Sequence, residues 1–354
     1  MNNRTSLATA RRSLILTAAL AAAAAGASAQ SSVTLYGRVD AALQYSTKTG
    51  AVDDDLFELA NGGIRPSIWG LRGTEDLGGG LKAFFNLEAH FATDTGVGAR
   101  SGQTFRRQAN VGLKNDWGSV TAGRQYSPAI VANLGTEPRA FKENLSGLYP
   151  YALNQNPAGN SVNDLGIFIG NAVSYSNTFG PVYVGALIAA GEGTGRTMTL
   201  GASYTGPVVV SGSYQEIDAA NSDSDGTTHF MAGIAVPFNN FKFKGSYQHS
   251  TEDAFGVETH KVDFYGVGVD WAWHPANTLN ATYYYGKDKH VAGDKTTTIV
   301  ISNDYAVSKR TIIYAQFAYA DADLTPTLRT GVILNGAYPD AKTSVIGLGI
   351  SHIF

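Results

Sequence analysis

The last twelve residues, Thr343 to Phe354, alternate without a break. Large Ile346, Leu348, Ile350, His352 and Phe354 fall on one face and small Gly347, Gly349 and Ser351 on the other, which is the two-residue period of a strand. A face this apolar, running up to the terminal carboxylate, must meet something other than water. A soluble sandwich or propeller would hide it in its own core. A closed membrane barrel would turn it to lipid.

The alternation recurs upstream. In 80–91, Leu81, Ala83, Phe85, Leu87, Ala89 and Phe91 oppose Lys82, Phe84, Asn86, Glu88 and His90; in 33–45, Val33, Leu35, Val39, Ala41 and Leu43 oppose Thr34, Tyr36, Arg38, Asp40 and Gln44. Gly, Tyr and Phe are abundant, at 41, 18 and 16 residues, and no 3.6-residue period is sustained. Past the N-terminal region the longest apolar stretch is Val182 to Ala190, too short to cross a bilayer as a helix. If the chain spans a membrane, it does so as strands.

The first 29 residues read as a secretory signal. Arg4, Arg11 and Arg12 precede an apolar core from Leu14 to Ala25, and Ala27-Ser28-Ala29 is a small-residue cleavage site. Residues 30–354 then form one domain. Without the signal, 23 basic residues stand against 29 acidic ones, a formal charge of −6. No basic stripe with interleaved aromatics points to nucleic acid. There is no cysteine, so neither disulfides nor thiolate metal sites are available.

Alternation and turn signals mark about 16 strands, the size class of large outer-membrane barrels. Long polar connections (46–63, 92–103, 126–169, 217–227, 250–259, 287–295, 320–342) alternate with tight turns such as Asn115-Asp-Trp-Gly118 and Pro237-Phe-Asn-Asn240. Long loops at one end and short turns at the other are what such a barrel presents to its two sides. Trp69, Trp117, Trp271, Trp273, Phe179, Phe238, Tyr283, Tyr285 and Phe354 are candidates for its two interfacial girdles.

Val33-Thr-Leu-Tyr-Gly-Arg-Val-Asp40, the block from Trp69-Gly-Leu-Arg-Gly to Ala83, Arg107-Gln-Ala-Asn-Val-Gly-Leu113, Gly123-Arg-Gln-Tyr-Ser-Pro128, Ser308-Lys-Arg-Thr311 and the closing Gly-Ile-Ser-His-Ile-Phe354 occur in this order. Together they resemble the Gram-negative general porins, especially their betaproteobacterial branch. The resemblance implies an all-β, 16-stranded antiparallel transmembrane barrel in the outer membrane, assembled as a homotrimer among lipid and lipopolysaccharide. Each barrel would pass ions and small hydrophilic solutes through a water-filled pore narrowed by an inward-folded third loop. A substrate-selective channel is the neighbouring alternative.

The candidate third loop is 126–169, the longest strandless segment, with Leu134, Phe141, Leu145, Leu148, Tyr149, Tyr151, Leu165 and Phe168 as apolar anchors. Glu137, Glu143 and Asp164 are its candidate lumen carboxylates, with solvated loop charge as the alternative for each. Charge facing lipid at mid-depth costs about 2–4 kcal/mol, which drives mid-strand arginines inward. This makes Arg38, Arg72, Arg124 and one of the neighbours Arg106 and Arg107 the candidate basic wall, with salt bridges inside the wall as the alternative. A basic wall opposite acidic groups sets a transverse field that filters solutes by charge. The resemblance places Arg38 and Arg107 at constriction positions. It also shows Ile68 and Phe168 where the family often has basic residues, which weakens the expected field.

No Gly-x-Ser-x-Gly elbow occurs, and no histidine sits beside a nucleophile motif, so a barrel hydrolase lacks its parts; a surface adhesin has no distinguishing mark. No cofactor is implied. Asp53-Asp-Asp55 and Asp223-Ser-Asp225 read as solvated external loops that bind divalent cations weakly. The second lacks the distal glutamate of a calcium loop.

Overall fold

The computed structural model describes residues 32–49, 54–99, 102–143, 145–153, 166–192, 195–220, 225–323 and 342–354. The expected signal segment, Asp164 and Asp223 lie outside them. The described chain is almost wholly strand: β1 (Ser32–Thr49), β2 (Asp54–Asn61), β3 (Ile68–Gly78), β4 (Leu81–His90), β5 (Gln108–Asn115), β6 (Gly118–Tyr126), β7 (Phe168–Ile169), β8 (Ala172–Phe179) and β9 (Val182–Ala189). The second half comprises β10 (Thr197–Thr205), β11 (Val209–Asp218), β12 (Gly226–Phe238), β13 (Phe241–Ala254), β14 (Val257–His274), β15 (Asn277–Asp288), β16 (Lys295–Ala306), β17 (Thr311–Ala322) and β18 (Lys342–Ile353). Two short helices, α1 (Pro128–Asn133) and α2 (Leu148–Leu153), lie between β6 and β7.

Every pairing is antiparallel between neighbours, and β18 returns to β1 in the register Arg38↔Ile353 to Ser46↔Val345. The sheet therefore closes. β2 and β3 run end to end beside β1, and β7 and β8 run end to end beside β6, so the strand segments fill 16 barrel positions.

The molecule is inside-out relative to a soluble protein. Leu348 is 61% exposed and Ile188 66%, while Gln215, Thr199 and Gln44 are fully buried. Such a continuous apolar exterior is stable only against lipid. Aromatics gather at both ends of that band. Phe230, Tyr247, Tyr265 and Tyr285 follow one another across four strands toward the long-loop end; Phe241 stacks on Trp271 and Phe243 near the short turns. Trp117, Phe179, Phe238, Trp273 and Phe354 are also exposed at that end, at the headgroup depth such rings prefer.

Three expectations fail locally. β2 occupies 54–61, inside the expected loop 46–63: the run Asp53-Asp-Asp55 looks like loop, but Phe57 and Leu59 face outward and the ladder to β1 continues. β13 and β14 run through the expected loop 250–259 to a tip at Phe255-Gly256; the run Ser250 to Asp253 leading to it puts polar residues on both faces, so alternation vanishes. Conversely, 104–107, expected as strand, is bent.

Inward-facing glycines make room for what the barrel contains. A Cβ on Gly201 of β10 would come within 2.2 Å of the Pro128 carbonyl oxygen, and one on Gly233 of β12 within 2.3 Å of Thr136 Oγ1. Gly201→Val is expected to lift α1 off the wall, speeding tryptic cleavage after Arg139 and Lys142 while the barrel persists. Digestion at the wild-type rate would show that α1 has no such seat.

Candidate functional site

The segment after β6 is fastened to the buried face of the wall, opposite the exposed apolar face. Ser127 caps α1, its Oγ accepting from the Ala129 N–H, with Pro128 opening the helix. The same hydroxyl donates to Gln215 of β11 at 2.5 Å. Asn133 Nδ2 donates to Ser213 Oγ at 2.7 Å. Farther on, Arg139 Nη1 donates to Asn280 Oδ1 (3.0 Å) and Ser302 Oγ (2.9 Å) on β15 and β16, and Lys142 pairs with Asp304 at 2.6 Å. The return path is held by Gln248 Nε2 donating to the Gly147 carbonyl and by Tyr151 packing edge-on against His229.

Glu137 organises the turn between these legs. Its carboxylate accepts from the Arg139 and Phe141 backbone N–H (both 2.8 Å), the Gly147 N–H (3.0 Å) and the Tyr284 hydroxyl (2.6 Å). It is 0% exposed. Expected as a lumen carboxylate, Glu137 is instead the staple of the loop, holding Ala140 and Phe141 at φ 54° and 51°, a region costly for residues with a side chain.

A second segment bends inward to meet it. Between β2 and β3, Gly62 takes φ 77°, and 62–67 folds over Ala42, Ala60 and Tyr314 with Ile64 buried. Gln316 Nε2 donates to the Gly63 carbonyl. The Glu143 N–H donates to the Ile64 carbonyl at 3.3 Å, joining the two segments.

Beside that junction lies a cavity of about 700 Å³ lined by Arg38, Arg65, Arg106, Arg107 and Lys142 with Glu143. Arg38 Nε donates to the Pro66 carbonyl at 3.0 Å, so the bend also aims this side chain. Arg107 is almost buried: Nε meets Glu88 Oε1 at 2.6 Å, another nitrogen donates to the Tyr126 hydroxyl, and the Tyr126 and Phe168 rings stack on the guanidinium. Phe168, expected to weaken the basic wall, braces one of its members. Burial pushes the Glu143 carboxyl up, against the pull of Arg107, Arg38 and Arg106. Burial pushes the Lys142 ammonium down, and Asp304 pulls it back up.

Both Arg106 and Arg107 line the cavity, because the bent 104–107 releases them from strict alternation. Arg72 and Arg124 do not. Arg72 is exposed over the Tyr36 ring, 5.1 Å from its centroid, and Arg124 Nε braces the Arg106 carbonyl. Arg65 and Lys142 escaped the sequence reading; the breaker pattern Gly62-Gly63 and Pro66 around Arg65 was the available signal. Among the described residues, no group of three or more His, Asp or Glu is placed to hold a metal ion.

A family model described as Gram-negative porin matches residues 16–325. The chain belongs to the Gram-negative porin family. An outer membrane porin of Bordetella pertussis is 29% identical to this porin, over 97% of this chain and 100% of that protein. Outer membrane porin protein 32 of Delftia acidovorans is 30% identical over the same shares. Among solved structures, the anion-selective porin from Comamonas acidovorans superposes with a TM-score of 0.81 at 27% identity, covering 92% of this chain and 100% of that one. The porin is an outer-membrane channel that crosses the bilayer many times.

Proposed function

We propose that this channel is narrowed where the 127–153 segment meets the bend at 62–67, and that it passes small hydrophilic solutes with a preference for anions. The observation that carries this is the cavity lining, five cationic side chains against Glu143. Glu88 offsets Arg107 and Asp304 offsets Lys142, yet Arg38, Arg65 and Arg106 still outnumber Glu143, which leaves the lumen potential positive and draws anions in. The anion selectivity of the Comamonas acidovorans relative agrees with the reading. Under a potassium chloride gradient across a planar bilayer, the zero-current potential should lie on the chloride side; a potassium-side value would overturn the proposal.

Acid should sharpen the preference. Burial raises the Glu143 carboxyl, so as pH falls it takes up a proton while still above the usual carboxylate range. Losing that negative charge makes the lumen more positive, and the zero-current potential should move further to the chloride side. Glu143→Gln should start at the acid value and lose this step in the titration.

Three copies side by side fit the uneven wall. The strands from β4 to β11 hold 10 residues or fewer, while β12 to β18 hold 12 to 18, yet Val111, Ile188 and Leu200 keep the low side apolar. A heat-sensitive band of three-fold mass on unheated denaturing gels is the expected result; a monomer alone at every detergent concentration would exclude it.

A further inference from the structure

The loop turn that faces the arginine-lined cavity also forms the roof of a second chamber. This one, about 290 Å³, is lined by Arg139, Lys142, Lys244, Asp270, Asn280 and Asp304, and it shares Ala140 and Lys142 with the larger cavity. Its floor includes Pro275 and Ala276, in the short turn between β14 and β15. Short turns mark the periplasmic end, so a solute meets this chamber on the far side of the narrowing.

The lining carries charge of both signs in one connected net. Lys142 pairs with Asp304 (2.6 Å) and Lys244 with Asp270 (2.7 Å); Lys244 Nζ also donates to the Pro138 carbonyl, and Asn280 Nδ2 to Asp270 Oδ1. The net is not closed. Arg139 is 1% exposed, and its Nε and Nη2 have no protein acceptor, while Asp304 Oδ1 has no protein donor. Buried polar groups ordinarily find partners, and ionic ones most of all. Three cations in the lining face two carboxylates, and Glu137 behind Arg139 supplies the third negative charge, so the chamber is close to neutral overall, with unmet donors and an unmet acceptor just beneath its lining.

A simple anion would satisfy only the cationic side and would stand against Asp270 and Asp304. A simple cation would meet the reverse problem. We propose that the chamber is a binding subsite for small zwitterions of the α-amino-acid class. The solute carboxylate lies toward Lys142, Lys244 and the field of Arg139, and its ammonium toward Asp270 and Asp304. The chamber holds such a solute briefly after it has crossed the narrowing, and it recognises a different charge pattern from the arginine wall.

The test is current noise through single trimers in a planar bilayer at neutral pH, with glycine, acetate or ethylammonium added on the periplasmic side. Glycine should produce excess open-channel noise that acetate and ethylammonium do not. Asp304→Asn and Lys244→Gln should each weaken the glycine effect about tenfold, the loss of roughly one charge-assisted hydrogen bond; the second variant serves if the first fails to assemble. Arg38→Gln/Arg65→Gln/Arg106→Gln should keep the glycine noise, so failure of the anion-preference reading and failure of this one are distinguishable. No glycine noise up to about 100 mM, where a millimolar site is saturated, would mean that ordered water alone fills the chamber. Equal noise from acetate, or unchanged glycine noise in both variants, would overturn the proposal as well.

Discussion

Replacing Arg38, Arg65 and Arg106 together with glutamine is expected to carry the zero-current potential from the chloride side to or past zero. These three line the cavity and, unlike Arg107, are not locked into the Glu88 pair. A unit charge about 4 Å from a passing ion is worth about 1 kcal/mol in bulk water and several times that at a lower effective dielectric. Three lost charges should therefore lower the anion-to-cation permeability ratio by at least about tenfold. The shift should be largest in dilute salt and shrink toward 1 M, where charges are screened beyond about 3 Å. Arg107→Gln makes a poorer probe, since it strands Glu88, which is 5% exposed, and costs stability as well as selectivity. If the triple variant keeps the wild-type potential at low salt, the filter lies elsewhere in the pore.

Glu137→Ala should produce the largest gain in conductance of any single change. It removes one acceptor from three backbone N–H groups and a tyrosine hydroxyl. A buried donor left without a partner costs about 1–3 kcal/mol. Even if water reaches some of the four, the turn at 137–141 loses on the order of 3 kcal/mol or more, and the left-handed Ala140 and Phe141 keep the Ala140 N–H bond to the Glu137 carbonyl and the packing of the Phe141 ring. The barrel ladders do not pass through this residue, so thermal unfolding of the wall should move little. Larger, noisier single-channel currents with an unchanged barrel melt are the expected pair of results. Quiet currents of wild-type size would mean that the wall contacts at Asn133, Arg139 and Lys142 hold the loop without the staple.

The barrel was legible in the sequence because lipid imposes a strict period. Residues such as Leu348 and Ile350 face hydrocarbon, so a wrong parity is costly and alternation survives. Where the wall rises above the membrane the constraint lapses, which is why 250–259, with polar residues on both faces, read as loop. The basic wall was half legible. Arg38 and Arg107 lie on the cavity, while Arg72 sits over the Tyr36 ring and Arg124 against the Arg106 carbonyl; strand parity gives direction without depth. Arg65 and Lys142 come from irregular backbone, and periodicity carries no information there. Glu137 was misplaced for a related reason: a loop carboxylate reads as solvated or lumenal, and only the folded turn brings four donors to it.

The seam between first and last strands bears on assembly. Gly37 and Phe354 exchange both backbone hydrogen bonds, and the Phe354 ring fills the space a side chain on residue 37 would need. The pairing that seals the cylinder forms only once β18 has come round to β1, with Gly37 and Phe354 extending the ladder that begins at Arg38↔Ile353. Until then the nascent polypeptide carries two unzipped margins, each able to recruit a stranger's backbone, and its slowest contact is also its longest in sequence. A ring wedged at that seam holds the closed state, and so shortens the time for which both margins stay open.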